Sequence, residues 1–63
     1  MLKKCVIYKE GKLINTVTYQ RDFRVWRAVH FENGNPLPFT MYDLLEDHKR
    51  KLERGGFTWE WIS

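Results

Sequence analysis

Two apolar runs in the first third of the chain, separated by a polar turn, are typical of β-strands. Residues 3–9 and 12–19 are rich in β-branched and aromatic side chains, and they flank the short polar segment Glu10-Gly11. Gly11 can take the positive φ angle that a tight turn between two strands requires. The pattern therefore predicts a β-hairpin.

The next segment, residues 21–32, fits two patterns. Alternation makes four of the five positions 23, 25, 27, 29 and 31 apolar, whereas a helical face over positions 23, 26, 27, 30 and 31 has three apolar residues. The aromatic and β-branched content favours a strand over 23–32 that ends at the turn signal Asn33-Gly34. A helix remains the alternative. Arg27 falls on the side predicted to face the core, which indicates a bulge or two partly exposed faces.

A helix is predicted over residues 41–54. Thr40 is placed to cap its first turn, with Asp43 three residues later, and Phe39 and Leu44 have the spacing of a hydrophobic staple. The apolar stripe at helical spacing consists of Met41, Leu44, Leu45, His48 and Leu52. Two consecutive glycines at 55 and 56 end the helix.

A last strand is predicted over residues 57–62, where aromatic residues alternate with polar ones. The element order is therefore β-β-β-α-β, an α+β fold in a small single domain spanning residues 1–63. We expect an antiparallel or mixed sheet with one helix packed on one face. Since a single helix covers a single face, the other face is expected to be open to water or to a partner.

Length and composition limit the classes of protein to which the chain can belong. The chain has 63 residues, 43% hydrophobic and 30% charged, with a formal net charge of +3, which is typical of a small soluble globular protein. No apolar run is long enough for a membrane span or a signal peptide, so we expect a complete cytoplasmic protein with no membrane partner. Such a short chain has little room for an enclosed pocket, so we expect neither an enzyme nor a small-molecule substrate.

Chemical motifs give no catalytic or cofactor site. The glycines are scattered and lack the spacing of nucleotide-binding loops. Neither His30 nor His48 has the spacing to Cys5 or to another ligand that places metal ligands on one element. We therefore expect no metal and no cofactor, a partly buried His48 bonded to the backbone, and a buried, unreactive Cys5.

Basic and aromatic residues suggest a binding surface. Residues 1–32 hold seven of the eleven lysines and arginines and three of the eight acids. If the third strand turns Phe23, Val25, Val29 and Phe31 toward the helix, its open face carries Arg24, Trp26, Ala28 and His30. Phosphates would meet the charges there and bases would stack on the indole. The hypothesis is a nucleic-acid interface made by Arg21, Arg24, Trp26, His30, Lys4, Lys9 and Lys12.

The alternative is a protein-interaction module. Phe57, Trp59 and Trp61 form an aromatic stripe on the last strand. These residues either pack under the helix or form an exposed interface, because tryptophan is favoured at protein interfaces and a terminal strand is often an edge. In the second case the protein is a homo-oligomer, or a small accessory or inhibitor protein that docks on a larger partner.

Overall fold

The computed structural model describes residues 1–62 and has four antiparallel strands in one open sheet with a single helix. The strands follow the order β3-β2-β1-β4 across the sheet. This confirms the predicted α+β class and the β-β-β-α-β element order. The elements are β1 (Leu2–Lys9), β2 (Lys12–Asp22), β3 (Val25–Phe31), α1 (Leu45–Arg54) and β4 (Phe57–Trp61).

The predicted hairpin is present as β1 and β2. Its turn residues Glu10 and Gly11 have φ angles of 53° and 78°. Positive φ at both central residues matches the right-handed twist of the flanking strands, which is why a glycine is favoured there. Register is regular from Leu2 to Ile7 and then shifts, so that Ile14 is an additional residue in β2.

The segment with two interpretations is a strand, β3, and it contains a bulge. Thr18 pairs with His30 and Tyr19 pairs with Ala28, which leaves Val29 as the extra residue. Because of the bulge, the β3 residues before Val29 point to the opposite face of the sheet from the one that unbroken alternation predicts. Ala28 is therefore buried on the helix-covered face, and Arg27 is exposed.

This bulge corrects the predicted faces of the third strand. Trp26 lies on the helix-covered face, packed against the core cluster, and not on the open face. Val29, predicted to face the helix, is 45% exposed. Phe23, predicted to begin the strand and to face the core, lies in the β2–β3 turn with φ 58° and is 93% exposed.

The helix begins at Leu45 and not at residue 41. The predicted contact at its start does form, since the Thr40 N–H donates to Oδ2 of Asp43 over 2.9 Å. The Thr40–Asp43 contact closes a single turn that does not continue into the helix. Leu44, which follows that turn, is extended with ψ 158° and forms a β-bridge with Arg27 of β3. An extended residue that pairs with a strand cannot continue a helix, so the prediction of residues 41–54 was wrong at its first turn.

The core lies between the helix and one face of the sheet. Leu52 of α1 and Phe39 of the preceding loop pack on the buried sheet residues Cys5, Ile7, Val17, Tyr19 and Ala28. Phe57, Trp59 and Trp61 are half-buried and pack against the same cluster. Among residues 1–62, no helix is long and apolar enough to cross a membrane.

Candidate functional site

One end of the sheet collects basic and aromatic residues. Because neighbouring strands are antiparallel, β1 and β3 begin at the end where β2 and β4 finish. Lys3, Arg21, Trp26 and Trp61 lie there on the helix-covered face, and Arg24 lies in the adjoining turn. We call these five residues the basic aromatic end.

Lys3 lies between the two tryptophans. Its Nζ is 5.1 Å from the ring centroid of Trp26 and 5.0 Å from that of Trp61. Trp61 also meets Tyr19 edge to face, with centroids 5.6 Å apart. The aromatic rings attract the ammonium through their quadrupoles. Two half-buried indoles and one cation therefore form a single cluster.

The cations of this end lie outside the ion pairs that the described residues form. In the part of the chain that the structure describes, no ion pair includes Lys3, Arg21 or Arg24. Arg21 donates its Nε proton to the carbonyl of Phe23 over 3.0 Å, which orients the guanidinium. Positive charge that no carboxylate neutralises is available to an anionic ligand.

A cleft adjoins the indole of Trp26. It lies between the β2–β3 turn and the start of α1 and has a volume of about 160 Å³. Its lining is mostly apolar, with one cation and one carboxylate at its rim: Arg24, Val25, Trp26, Leu44, Leu45 and Glu46. Glu46 is 3.8 Å from Nζ of Lys49, so its charge is shared with that lysine.

The structure brings three of the seven predicted nucleic-acid residues together, namely Arg21, Arg24 and Trp26. Lys4 and His30 lie on the open face, in one row across Thr18, and His30 is 3.7 Å from Glu32.

Lys9 and Lys12 lie beside the hairpin turn at the opposite end of the sheet. Nζ of Lys9 is 4.8 Å from the ring centroid of Phe57. The predicted surface is therefore divided between two faces and two ends of the sheet.

Two members of the basic aromatic end, Lys3 and Trp61, are not among the seven residues of the predicted nucleic-acid interface. Lys3 shares the face of Cys5 and Ile7 by strand alternation, a signal that β1 already contained. Trp61 was predicted either to pack under the helix or to form an exposed protein interface, and in the structure it is half-buried against the core cluster. Its closeness to Lys3 depends on β4 pairing with β1, where Cys5 stands opposite Trp61. Strand order is not readable from a single sequence.

Cys5 has the environment of a structural residue. The thiol is buried, and burial raises its pKa to about 11, so it is protonated at neutral pH. Only the thiolate is a strong nucleophile or metal ligand. Among residues 1–62, no group of three or more His, Cys, Asp and Glu side chains is placed to hold a metal ion.

His48 is fully buried and bonded on both ring nitrogens. Its Nε2 lies 3.0 Å from the carbonyl oxygen of Thr40, which can only accept, so Nε2 carries the proton. Nδ1 then accepts from the Tyr19 hydroxyl over 2.6 Å. The ring also stacks on Phe39 with centroids 3.7 Å apart. The predicted bond of His48 to the backbone is confirmed, while the ring is fully buried and not partly buried as predicted.

Acidification is expected to destabilise the fold through His48. Burial is the main cause that lowers the pKa of His48 below its ordinary 6.5, although the Thr40 carbonyl and Asp43 oppose it and Lys51 acts in the same direction as burial. Below pH 6.5, His48 binds a proton in the unfolded chain but stays neutral in the folded chain until a lower pH. The free energy of unfolding therefore falls as the pH decreases. The urea midpoint should decrease between pH 7.5 and pH 5.

Asp43 does not contribute to the change in stability between pH 7.5 and pH 5. The Thr40 N–H and then Lys51 hold the pKa of its carboxyl below the ordinary value of 3.8, so it stays ionised. His30→Gln, which removes the exposed histidine, should keep the same pH dependence. A midpoint that is constant from pH 7.5 to pH 5 would contradict this assignment of His48.

The chain was also compared with known proteins. Neither protein-family models, nor curated proteins, nor solved structures matched it.

Proposed function

We propose that this protein is a small, non-enzymatic module that binds single-stranded nucleic acid through the basic aromatic end. The observation that carries the proposal is the position of Lys3 between two half-buried indoles, at the sheet end that also holds Arg21 and Arg24, neither of which forms an ion pair within residues 1–62. Cations beside stacking surfaces are the features that such ligands require, since phosphates bind charge and bases stack on rings.

Binding would exchange the two lysine–indole contacts for a phosphate contact and a stacked base. Lys3 leaves the indole faces and binds a phosphate, and the exposed ring surface of Trp26 or Trp61 receives a base. The two lysine–indole contacts that are given up are together worth roughly 1–2 kcal/mol, whereas stacking contributes about 1–3 kcal/mol per base. Stacking therefore offsets the loss, and the phosphate contact supplies the net gain.

The ligand is expected to be single-stranded. A base must leave its own stack before it can lie on an indole, and duplexes hide their base faces. The apolar cleft beside Trp26 gives such a base a second wall, formed by Leu44 and Leu45. We further propose a cytoplasmic location, which the free thiol of Cys5 favours.

Charge reversal tests the site. Tryptophan fluorescence is followed during titration with oligothymidylate at low and moderate salt. The wild type should give a saturable change whose affinity falls with salt, and duplex should bind more weakly. Arg24→Glu should weaken binding on the order of ten-fold and reduce the salt slope by about 1.

Lys12→Glu is the matched control, because it makes the same change in net charge at the opposite end of the sheet. It should alter the affinity by less than about three-fold at moderate salt, where charges more than ~10 Å away are screened. Equal losses in Arg24→Glu and Lys12→Glu would show attraction by net charge alone. Absence of binding at low salt would reject the proposal.

A protein-interaction module is the second candidate function. The outer edge of β4 favours it, because β4 is an edge strand of the sheet and carries the half-buried Phe57, Trp59 and Trp61. The partner under this proposal is a second copy of the chain, or a larger protein to which it is an accessory or inhibitor.

A further inference from the structure

The two edges of the sheet are built differently. At the β3 edge, Leu44 bridges Arg27 and the bulge at Val29 interrupts the strand. Such devices stop an edge from pairing with another chain. The β4 edge has none of them within the described residues: its pairing with β1 shows no register shift, and the strand contains neither proline nor lysine.

The backbone groups that point outward from β4 follow from its pairing with β1. The N–H of Ile62 donates to the carbonyl oxygen of Lys4 over 3.0 Å. Because facing residues alternate between bonded and non-bonded pairs in an antiparallel ladder, the even-numbered residues of β4 bond to β1. The N–H and C=O groups of Phe57, Trp59 and Trp61 therefore point away from the sheet.

We infer that β4 pairs with β4 of a second copy of this chain, antiparallel and centred on Trp59. In that register Trp59 faces Trp59 of the second copy, and Phe57 faces Trp61 of the second copy. The backbone N–H and C=O groups of all three outward-pointing residues then form hydrogen bonds with the residue that faces them in the second copy. The sheet continues across a two-fold axis, as expected for a closed symmetric dimer.

The charge of Glu60 selects this register. Centred on Trp59, the dimer places Glu60 opposite Thr58 of the second copy, both on the open face. If the centre moved to residue 60, Glu60 would face Glu60 of the second copy. Like charges directly opposite each other destabilise a sheet. Within the described residues, moving the centre to residue 58 or to residue 60 also leaves one outward-pointing residue of β4 without a bonded partner in β4 of the second copy.

Aromatic pairing supplies the favourable contact. The side chains of Phe57, Trp59 and Trp61 alternate onto the helix-covered face and are half-exposed in the isolated chain. Across the axis they form aromatic cross-strand pairs, which stabilise antiparallel sheets beyond the area that they bury. A chain of 63 residues buries a small share of its surface and gains from sharing a core.

Substitutions at Thr58 test the register. Thr58 is exposed, so the monomer tolerates its replacement. Thr58→Glu places two carboxylates opposite Glu60 residues and should raise the dimer dissociation constant roughly 2- to 30-fold in sedimentation equilibrium. Thr58→Lys, the matched control, should lower it by a similar factor. The double variant Thr58→Glu with Glu60→Lys should restore dimerisation.

Hydrogen exchange gives a residue-level readout. The amides of Phe57, Trp59 and Trp61 should exchange rapidly in dilute protein and become protected as concentration rises, while those of Thr58 and Glu60 are protected throughout. A chain that stays monomeric up to millimolar concentration overturns the inference. A dimer that responds equally to Thr58→Glu and Thr58→Lys overturns it as well.

The dimer inference gives the second candidate function a definite partner; it shares Trp61 with the basic aromatic end but rests on the backbone edge of β4. Thr58 variants leave Lys3, Arg21, Arg24, Trp26 and Trp61 unchanged, so loss of the dimer and loss of nucleic-acid binding are separate results.

Discussion

Replacing His48 with alanine is expected to remove most of the stability of the fold at 25 °C. The substitution opens a cavity under Phe39, which stacks on the imidazole ring, and removes both hydrogen bonds that the ring makes. Loss of a large buried ring costs about 3–5 kcal/mol, and a buried hydroxyl left without a partner, here that of Tyr19, costs about 1–3 kcal/mol more. A chain of 63 residues has a total stability of roughly 3–9 kcal/mol.

Urea unfolding followed by circular dichroism and tryptophan fluorescence measures this effect. His30→Ala is the matched control, since the same substitution is made on the open face, where 63% of the His30 side chain is exposed. It should change stability by no more than about 0.5 kcal/mol. Equal midpoints for the two variants would contradict the assignment of His48 to the core.

Asn15→Ala is expected to destabilise the fold by about 2–4 kcal/mol. Asn15 is fully buried and fastens the loop after β3 to the bulge of β2. Its Nδ2 donates to the carbonyl oxygens of Asn33 (3.1 Å) and Asn35 (3.3 Å). Its Oδ1 accepts from the N–H groups of Thr16 (2.9 Å) and Asn33 (3.2 Å). Alanine would leave four backbone groups without these partners.

Asn35→Ala gives the comparison for Asn15→Ala in thermal and urea unfolding. Its exposed side chain makes one bond, from Nδ2 to the carbonyl oxygen of Ile14, so its loss should cost about 1 kcal/mol or less. In Asn15→Ala, faster hydrogen exchange at Asn33 and Thr16 should accompany the lower stability. A cost below that of Asn35→Ala would show that the buried amide does not hold the loop.

Local chemistry made the elements predictable. Gly11 follows directly after Glu10, and both take positive φ in the hairpin turn, so the turn signal and the alternating runs agreed with the fold. The aromatic and β-branched content of β3 correctly favoured a strand over a helix. The helix start was misplaced because the Thr40–Asp43 contact is a local signal, whereas Leu44 is extended through its bridge to Arg27, a tertiary contact.

The candidate site was only partly predictable, because it depends on register and strand order. One extra residue, Val29, moves Trp26 from the open face to the helix-covered face. The awkward position of Arg27 indicated a bulge without locating it. The meeting of Trp61 with Lys3 requires β4 to lie beside β1, a pairing between residues far apart in sequence.

The most direct test of the proposed site is a ¹⁵N NMR titration of the full chain with oligothymidylate at low salt. We predict that the largest shifts occur at the backbone amides of Lys3 and Arg21 and at the indole N–H groups of Trp26 and Trp61. Largest shifts on the open face, at Lys4, Thr18 and His30, would contradict the account, and so would a spectrum that does not change.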